Sequence, residues 1–382
     1  MLAVHLGELT LKGKNRRDFE QQLIRNIRAV LPAAKLTNIH SQFIVEAEDE
    51  NAAVEQLRKV FGISWISRAV EMPRDIKKIA AGIAKRLGSE PVKIETRRHD
   101  KSFPRTSIQI SQEIAELLHE KGKNPSVREY KRLLLVEIFK DKSLVSFERI
   151  NGLGGLPQGS SGKLLCLFSG GIDSPVASWL MMGRGCLVDL LHVHPAASND
   201  LVKKSKIAKL TKQLSSYAAT PLKLYLAPYD EFYRHSAQLP PREEAVLFRR
   251  FLLYLANALA EKNGYQGVIT GDSVGQVASQ TLANLAAIQS ASSIPIYRPV
   301  VGMDKEGIIK IAKSIGTYEE SIKPYKDCCS LVSQGNPTTK AKEERLRAVE
   351  KTIDMAAVVR KTLDKTEAVF IPELKKQKKS SL

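Results

Sequence analysis

The chain has 382 residues, 59 Lys plus Arg against 41 Asp plus Glu, and a formal net charge of +18. That length holds two or three domains with cores of their own, and hydrophobic and charged fractions of 43% and 26% exclude a disordered or fibrous chain. The positive surplus points to a polyanionic partner, nucleic acid first, and four cysteines (Cys166, Cys186, Cys328, Cys329) are too few for a disulfide framework and imply a reducing cytosol.

The start, MLAVHLGELTLKGKNRRDFE, has no apolar stretch long enough for a signal peptide. No segment approaches the roughly 20 apolar residues needed to cross a bilayer. Residues 1–60 read as a small mixed block: a strand-like start, a helix over 17–30, a strand over 42–46 and a helix over 51–60, closed by Phe61-Gly62-Ile63. Residues 61–160 read as a second α/β block. It has helices over 75–87 and 107–121, a strand over 92–97, and two strands in REYKRLLLVEIF and SLVSFERI. Basic residues cluster in both blocks: Lys12, Lys14, Arg16 and Arg17; then Arg97, Arg98, Lys101 and Arg105; then Lys121, Lys123 and Arg128. Gly13, Phe103 and Pro104 interrupt them, which suits shaped loops that follow a nucleic-acid backbone. The stretch NGLGGLPQGSSGK (151–163), with five glycines and no regular period, marks a loop or hinge.

From 161 onward apolar strands alternate with longer amphipathic helices. Strands are expected over 163–168, 187–193, 222–226, 267–270 and 295–300, and helices over 175–182, 201–217, 243–263, 276–289 and 304–316. Near-continuous apolar strands between helices predict a parallel, doubly wound sheet covered on both faces. The tail LKKQKKSSL reads as frayed and solvated.

The first strand of that block stops at Ser169-Gly170-Gly171, and a helix follows with Pro175 in its first turn. Ligands of doubly wound sheets bind beyond the carboxyl ends of the strands, where a helix start offers unpaired N–H groups and a positive dipole. The two glycines tolerate conformations other residues avoid, and Ser169 and Ser174 add hydroxyls, so the loop reads as a phosphate cradle. It lacks the Gly-Lys-Ser/Thr ending of the common nucleotide loop and the spacing of the dinucleotide fingerprint. Asp173 beside a phosphate site is costly unless a metal bridges the two, which suggests Mg²⁺ on a pyrophosphate. A second loop, TGDSVGQVASQ, follows the fourth strand and is expected to line the other side of the same crevice. Lys305 falls in a first helical turn, where a cation opposes the dipole, making it a candidate phosphate ligand. Arg249-Arg250 on the long helix read as a solvated face. Adjacent Cys328 and Cys329 have no metal-ligand spacing. They read either as two neighbouring buried cysteines or, since Pro324, Asp327 and Gly335 around them suggest a loop, as thiols that a sulfur donor could reach.

The stretch SGGIDSPVA (169–177) resembles the pyrophosphate loop of the ATP pyrophosphatases, enzymes that adenylate an oxygen and release pyrophosphate. Within them the chain resembles, over nearly its whole length, the tRNA 4-thiouridine synthetase family, sulfurtransferases also linked to thiamine biosynthesis. The segments that carry this are GELTLKGKNRRDFE, TRRHDKSFPRTSIQI, ITGDSVGQVASQTLANL, RPVVGMDKEGII and IGTYEESIKPYKDCCSLV. The resemblance implies a ferredoxin-like domain (1–60), a THUMP RNA-binding domain (61–160) and an ATP pyrophosphatase domain (161–382). It also implies a cytoplasmic, homodimeric enzyme that uses ATP and Mg²⁺ on the acceptor region of tRNA, with O4 of uridine 8 adenylated and replaced by sulfur. Nucleotide contacts fall to Leu167, Phe168, Ser169, Gly170, Gly171, Asp173, Ser174, His192, Val193, Arg249, Gly271 and Gln280. Strand-end residues are expected to meet the base through backbone groups. Chemistry falls to Asp173, which also holds the metal through pyrophosphate, to Lys305, and to Cys328 or Cys329, between which the sequence does not choose. Many relatives carry a C-terminal rhodanese domain. None is recognisable in these 382 residues, so sulfur is expected from a cysteine desulfurase or another carrier. Two other readings stay open: an amidating ligase built on the same loop, and an RNA-binding protein with a nucleotide-regulated domain and no catalysis.

Overall fold

The computed structural model describes residues 1–11, 15–39, 42–332 and 337–371, except the side chains of Thr10, Leu11, Cys329 and Ser330. Lys12, Gly13, Lys14, Gly335 and the basic tail 374–382 lie outside the described residues. The chain forms two compact units, Met1–Leu156 and Pro157–Leu382.

The first unit is one mixed sheet in the order β2-β3-β1-β4-β7-β6-β5, with β8 also paired to β4. Its strands are β1 (Leu2–Leu6), β2 (Lys35–Ile39), β3 (Gln42–Glu46), β4 (Ile63–Met72), β5 (Val92–Arg98), β6 (Arg132–Ile138), β7 (Ser143–Ser146) and β8 (Ile150–Asn151). Helices Arg16–Val30 and Glu50–Leu57 bury Leu23, Ile27, Val54 and Leu57 against Leu2, Val4, Phe43 and Val45. Helices Ile76–Ala84 and Ser107–Glu120 bury Ile79, Ile83, Ile110 and Ile114 against Val136 and Val145. Thr106 and Gln109 form a reciprocal capping box that starts the second of these.

Strands β2 and β4 were not expected. β2 (KLTNI) is an edge strand whose two apolar residues, Leu36 and Ile39, stand three apart and are only partly buried, so it carries no apolar alternation. β4 is ten residues long and pairs with β1 in its first half and β7 in its second, so a single sheet runs through both sequence blocks. The glycine-rich stretch is a set of tight turns, each half fastened to its own unit. Gly62 N donates to Gly154 O at 2.7 Å, and Gly159 N donates to Gly185 O at 2.8 Å. Gly154, Gly155, Gly159 and Gly162 have φ between 66° and 89°, which explains the glycines.

The second unit holds a six-stranded sheet in the order β13-β12-β9-β10-β11-β14. Strands β9 (Lys163–Leu167), β10 (Leu187–His194), β11 (Leu222–Pro228), β12 (Val268–Ile269) and β13 (Ile296–Tyr297) are parallel, as expected of a doubly wound sheet. An unforeseen β14 (Glu367–Ile371) adds antiparallel to β11. The helix expected over 201–217 is broken, because Ser205 caps a new helix, Lys206–Ser215, through the N–H of Ile207. The one expected over 276–289 starts only at Leu282, capped by Thr281, since Gly275 (φ 76°) turns the chain before it. The long helix Glu244–Asn263 packs Phe248, Phe251 and Leu255 into the core beside Phe232 and Tyr229. Strand order reverses at β9: β10 and β11 lie to one side and β12 to the other. The crevice beyond the carboxyl ends of β9 and β12 is the topological switch point.

Candidate active site

The loop 168–172 leads from β9 into helix Asp173–Gly183, so Asp173 and Ser174 open the helix and Pro175 sits in its first turn. Ser174 Oγ closes the loop: it accepts from Ser169 N at 2.9 Å and donates to Ser169 O at 3.1 Å. Gly171 N donates to Ser169 Oγ at 3.3 Å. Neither Gly170 nor Gly171 is left-handed, so conformational freedom is not their role. At Gly170 the reason is space. A Cβ there would lie 2.7 Å from Lys206 Cε and 3.2 Å from the Tyr325 ring.

Gly271 joins the two loops. A Cβ on it would lie 2.8 Å from Ser174 N and 2.9 Å from the Asp173 carbonyl carbon, so only glycine lets the second loop rest on the first helical turn. Ser273 Oγ donates to Met303 O at 3.0 Å and brings in the third loop, where Asp304 caps helix Lys305–Ser314 through Gly307 N. Lys305 Nζ then meets Asp173 Oδ1 at 2.7 Å, and Gln276 Nε2 donates to Asp173 Oδ2 at 3.1 Å. Three separate segments thus converge on one carboxylate.

These loops enclose a cavity of about 380 Å³ lined by Asp173, Ser174, Arg249, Gly271, Gln280 and Arg298, among others. Its floor is a charge cluster. Arg249 Nη1 donates to Asp272 Oδ1, Thr270 Oγ1 donates to Asp272 Oδ2 at 2.7 Å, and Arg298 Nε lies 3.5 Å from the same oxygen. Burial opposes ionisation of Asp272, but the Arg249 charge, the Thr270 and Arg249 hydrogen bonds and the Arg298 charge outweigh it and hold the carboxyl below its ordinary range. Arg298 Nη2 and Gln280 Oε1 are buried without a hydrogen-bond partner. They are one donor and one acceptor beside an open cavity. Arg250 is no part of this and no solvated face. It is fully buried, with Nε on Glu350 Oε1 at 2.5 Å and Nη1 on Ser290 Oγ at 2.7 Å.

Beside this cavity lies a smaller one of about 60 Å³, lined by Leu167, Phe168, His192, Val193 and Cys328. It has room for a few waters and not for a base. The backbone groups expected to meet a base are occupied. His192 Nδ1 is 2.8 Å from Phe168 O, and Cys328 Sγ is 3.5 Å from Val193 O. Burial lowers the His192 pKa to about 4, so the ring is neutral at pH 7. A carbonyl only accepts, so Nδ1 carries the proton and bare Nε2 accepts from Tyr325 O–H at 3.0 Å. His192 is therefore a strand-end histidine with both ring nitrogens satisfied. Cys328 is 2% exposed and begins helix Cys328–Val332 rather than sitting in an open loop. Cys329 follows it in that helix, and its side chain is outside the described ones.

Among the described residues no group of three His, Cys, Asp or Glu side chains could hold an ion. The Asp173 carboxylate fits Mg²⁺, which keeps its waters and binds through one carboxylate and substrate phosphates, whereas Asp272 in the same cavity is taken up by Arg249 and Thr270.

In the first unit Arg17, Arg97, Lys101, Arg105, Lys121 and Arg128 are exposed, Arg105 while paired with Glu113. Three further described ones have protein partners: Arg16 pairs with Glu20, Arg98 donates to Phe103 O, and Lys123 donates to Leu87 O. The loop around Phe103 is shaped by Asp100, which accepts from Ser102 N and Oγ and from Arg74. Asp272, Thr270, Arg298, Lys206 and Tyr325 went unnoticed in the sequence. The signal for Asp272 was a carboxylate between two glycines in a loop read for its glycines alone. Lys206 carries no local signal.

Fold and site define a nucleotide-binding enzyme of the ATP pyrophosphatase type, attached to a ferredoxin-like and a THUMP segment. Family models match in three stretches: the ThiI ferredoxin-like domain over 1–67, the THUMP domain over 74–148 and the thiamine biosynthesis protein (ThiI) over 159–355. Relatives called probable tRNA sulfurtransferase include one from Caldanaerobacter subterraneus, 39% identical over 93% of this chain and 95% of its own length. Another, from Moorella thermoacetica, is 37% identical over 97% of each. A crystal structure of a 4-thiouridine synthetase–RNA complex with bound ATP superposes with a TM-score of 0.86 at 30% identity, over 97% of this chain and 99% of that one. The chain belongs to the ThiI family of tRNA sulfurtransferases. Among the described residues no helix is long and apolar enough to cross a membrane.

Proposed function

We propose that this chain is an ATP-dependent tRNA sulfurtransferase that converts a uridine of tRNA, uridine 8 by the resemblance, to 4-thiouridine. The observation that carries this is the seat of Gly271 on the first turn of helix Asp173–Gly183, which sets a phosphate cradle, a cationic floor and Cys328 around one crevice. Such a crevice suits transfer of an adenylyl group. O4 of the uracil attacks the α-phosphorus, and the bond to pyrophosphate breaks. Pyrophosphate is held by the N–H groups of the helix start and by Ser169, Gly170, Gly171 and Ser174. Lys305 moves from Asp173 to the phosphates, and Arg249, steered by Asp272, faces the charge that develops in the transition state. Mg²⁺, held through Asp173, neutralises phosphate charge when bound. The thiolate of Cys328 or Cys329 attacks the outer sulfur of a desulfurase or carrier persulfide, whose own thiolate leaves. The terminal sulfur then attacks C4, and the C4–O bond breaks with AMP leaving. An external thiol attacks the cysteine sulfur, so that the S–S bond breaks, 4-thiouridine is released and a disulfide forms.

Residues 1–60 and 61–160 are read as the tRNA-holding ferredoxin-like and THUMP segments, and 161–382 as the catalytic domain. Arg17, Arg97, Lys101 and Arg128 are read as backbone contacts. The substrate places the enzyme in the cytoplasm, and the family resemblance suggests a homodimer and a link to thiazole formation for thiamine. The test is incubation with ATP, Mg²⁺, unmodified tRNA and sulfide. Pyrophosphate release that needs tRNA, and a tRNA product heavier by one oxygen-to-sulfur exchange in mass spectrometry, are expected. Pyrophosphate release without tRNA would point to the amidating ligase, and tRNA binding without any pyrophosphate would leave only an RNA-binding protein.

A further inference from the structure

Lys206 is the first residue of helix Lys206–Ser215 and belongs to none of the motifs of the site. Its side chain nevertheless lies against the pyrophosphate loop, with Cε 2.7 Å from the position of a Cβ on Gly170. Its ammonium donates to two backbone carbonyls, Ser321 O at 2.8 Å and Lys323 O at 2.7 Å. It also lies 5.7 Å from the centre of the Tyr325 ring, and Tyr325 is fastened to His192. These carbonyls and this ring belong to the stretch that runs from Ser321 into Cys328, whose thiol is buried on Val193 O. One cation therefore touches the phosphate loop at its stem and holds the cysteine-bearing stretch at its tip.

We propose that Lys206 is a positioning residue that keeps Cys328 shut away until the neighbouring loop holds phosphate. This rests on the sulfurtransferase reading of the site. A phosphate oxygen carries a full negative charge and attracts the ammonium by Coulomb force as well as by hydrogen bonding, which the two neutral carbonyls do not. A pyrophosphate group seated at Gly170 draws the amine about its own stem, and Ser321 O and Lys323 O lose their donor. The stretch is then held less firmly, through bonds such as those of Tyr325 to His192 and of Cys328 to Val193 O, and the thiol comes within reach of a sulfur donor. The sequence of events is useful chemically. The persulfide is admitted only when adenylation chemistry is loaded, and Cys328 leaves the wall of the small cavity beside the phosphate loop.

The test reads the alkylation rate of Cys328 by iodoacetamide, located by peptide mass spectrometry, in the full chain with and without inorganic pyrophosphate and Mg²⁺. The wild type is expected to react slowly alone and about tenfold faster with pyrophosphate, the contrast between a closed and a locally opened segment. Lys206→Met is expected to react fast in both conditions, and Lys206→Arg, which keeps the cation, to restore the slow, pyrophosphate-responsive pattern. Wild-type alkylation that ignores pyrophosphate, or a folded Lys206→Met that stays slow, overturns the proposal. Should Lys206→Met fail to fold, Tyr325→Phe, which keeps Lys206 but removes the bond to His192, is expected to react faster than the wild type and still respond to pyrophosphate. An unresponsive Tyr325→Phe also overturns it. Formation of 4-thiouridine is measured on the same wild-type sample, so a functioning enzyme with an indifferent Cys328 sinks this inference alone, and no 4-thiouridine at all sinks the functional reading.

Discussion

Lys305 Nζ lies 2.7 Å from Asp173 Oδ1, across the mouth of the crevice and between two helix starts. Each residue alone is a puzzle of placement: a cation at a positive helix end, a carboxylate at a phosphate site. Together they neutralise each other, and in the proposed reaction phosphate and metal take their places. Asp173→Asn keeps the bond from Gln276 and loses the charge. tRNA affinity is then expected to stay within about twofold, while tRNA-dependent pyrophosphate release falls about 10²-fold or more, the usual scale for losing one group that stabilises transition-state charge. A variant with more than a tenth of wild-type turnover rules out the proposed role.

Gly271→Ala tests the seam between the two loops. The added methyl meets Ser174 N and the Asp173 carbonyl carbon, both backbone atoms that cannot rotate away. Overpacking of this kind costs about 1–3 kcal/mol. The larger effect is expected in activity, about 10²-fold, because a displacement of roughly 1 Å at reacting groups is enough for that. Thermal melting and pyrophosphate release, measured on one preparation, separate the two. Wild-type activity in this variant would show that the loops need not touch.

Much of this site was legible in the sequence, because loop chemistry is local. Ser169, Gly170, Gly171 and Asp173 between an apolar strand and a helix can be recognised without knowing the rest of the chain. The parallel sheet was equally open, from apolar runs such as LLCLF and LVDLLHV. What escaped was long-range. β4 carries Ser64, Ser67, Arg68 and Glu71, and it becomes a central strand only because β1, β7 and β8 arrive to pair with it. Arg250 and Glu350 are a buried pair one hundred residues apart in sequence, where the pattern offered a solvated arginine. Cys328 looked like a loop thiol because Pro324 and Asp327 precede it. Its burial depends on Tyr325, His192 and Val193 meeting in space.

Asp272 makes a prediction in pH. Its carboxyl is held below the ordinary range in the folded chain, chiefly against burial by the charge of Arg249. Its contribution to stability is therefore complete above the unfolded value of about 3.9 and is lost as pH falls through the lower folded value. Asp272→Asn leaves Arg249 and Arg298 without their counter-charge, and removing one partner of a buried pair costs about 3–5 kcal/mol. That figure is an upper limit here, because Arg249 is 22% exposed. The gap in stability between wild type and variant is expected to be constant at neutral pH and to close in acid. A gap that does not change with pH would mean that the carboxylate charge is not what Asp272 contributes.

The basic residues of the first unit divide into exposed and engaged sets. Lys101 and Arg128 are exposed, whereas Lys123 donates to Leu87 O. Lys101→Ala with Arg128→Ala is expected to weaken tRNA binding and flatten its dependence on salt by about 1–2 units of log–log slope, roughly one for each phosphate that is no longer neutralised. Lys123→Ala is expected to cost stability and leave the slope unchanged. An unchanged slope in the double variant would remove both residues from the tRNA path.

The four cysteines should separate by environment. Cys166 is fully buried in β9, its thiol pushed up to about 12 by burial, and Cys186 is also raised by burial. Burial disfavours the thiolate that attacks and carries sulfur, so Cys166→Ser and Cys186→Ser are expected to lower the melting temperature and leave transfer per folded molecule intact. Cys328 is buried too, but on the wall of the crevice, beside His192 and Asp327. Adenylation needs only ATP, metal and a positioned uridine, so tRNA-dependent pyrophosphate release is expected to survive in Cys328→Ser. Transfer from a desulfurase-bound persulfide needs a thiolate to attack the outer sulfur, and it is expected to collapse in Cys328→Ser or in Cys329→Ser but not in both. Free sulfide at high concentration attacks C4 without a carrier and restores part of the product in the affected variant. The measurement is 4-thiouridine formed with a desulfurase and, separately, with sulfide, for each of the four variants. Full desulfurase-driven transfer in both Cys328→Ser and Cys329→Ser would exclude a covalent carrier on this chain and leave a diffusible sulfur species as the donor.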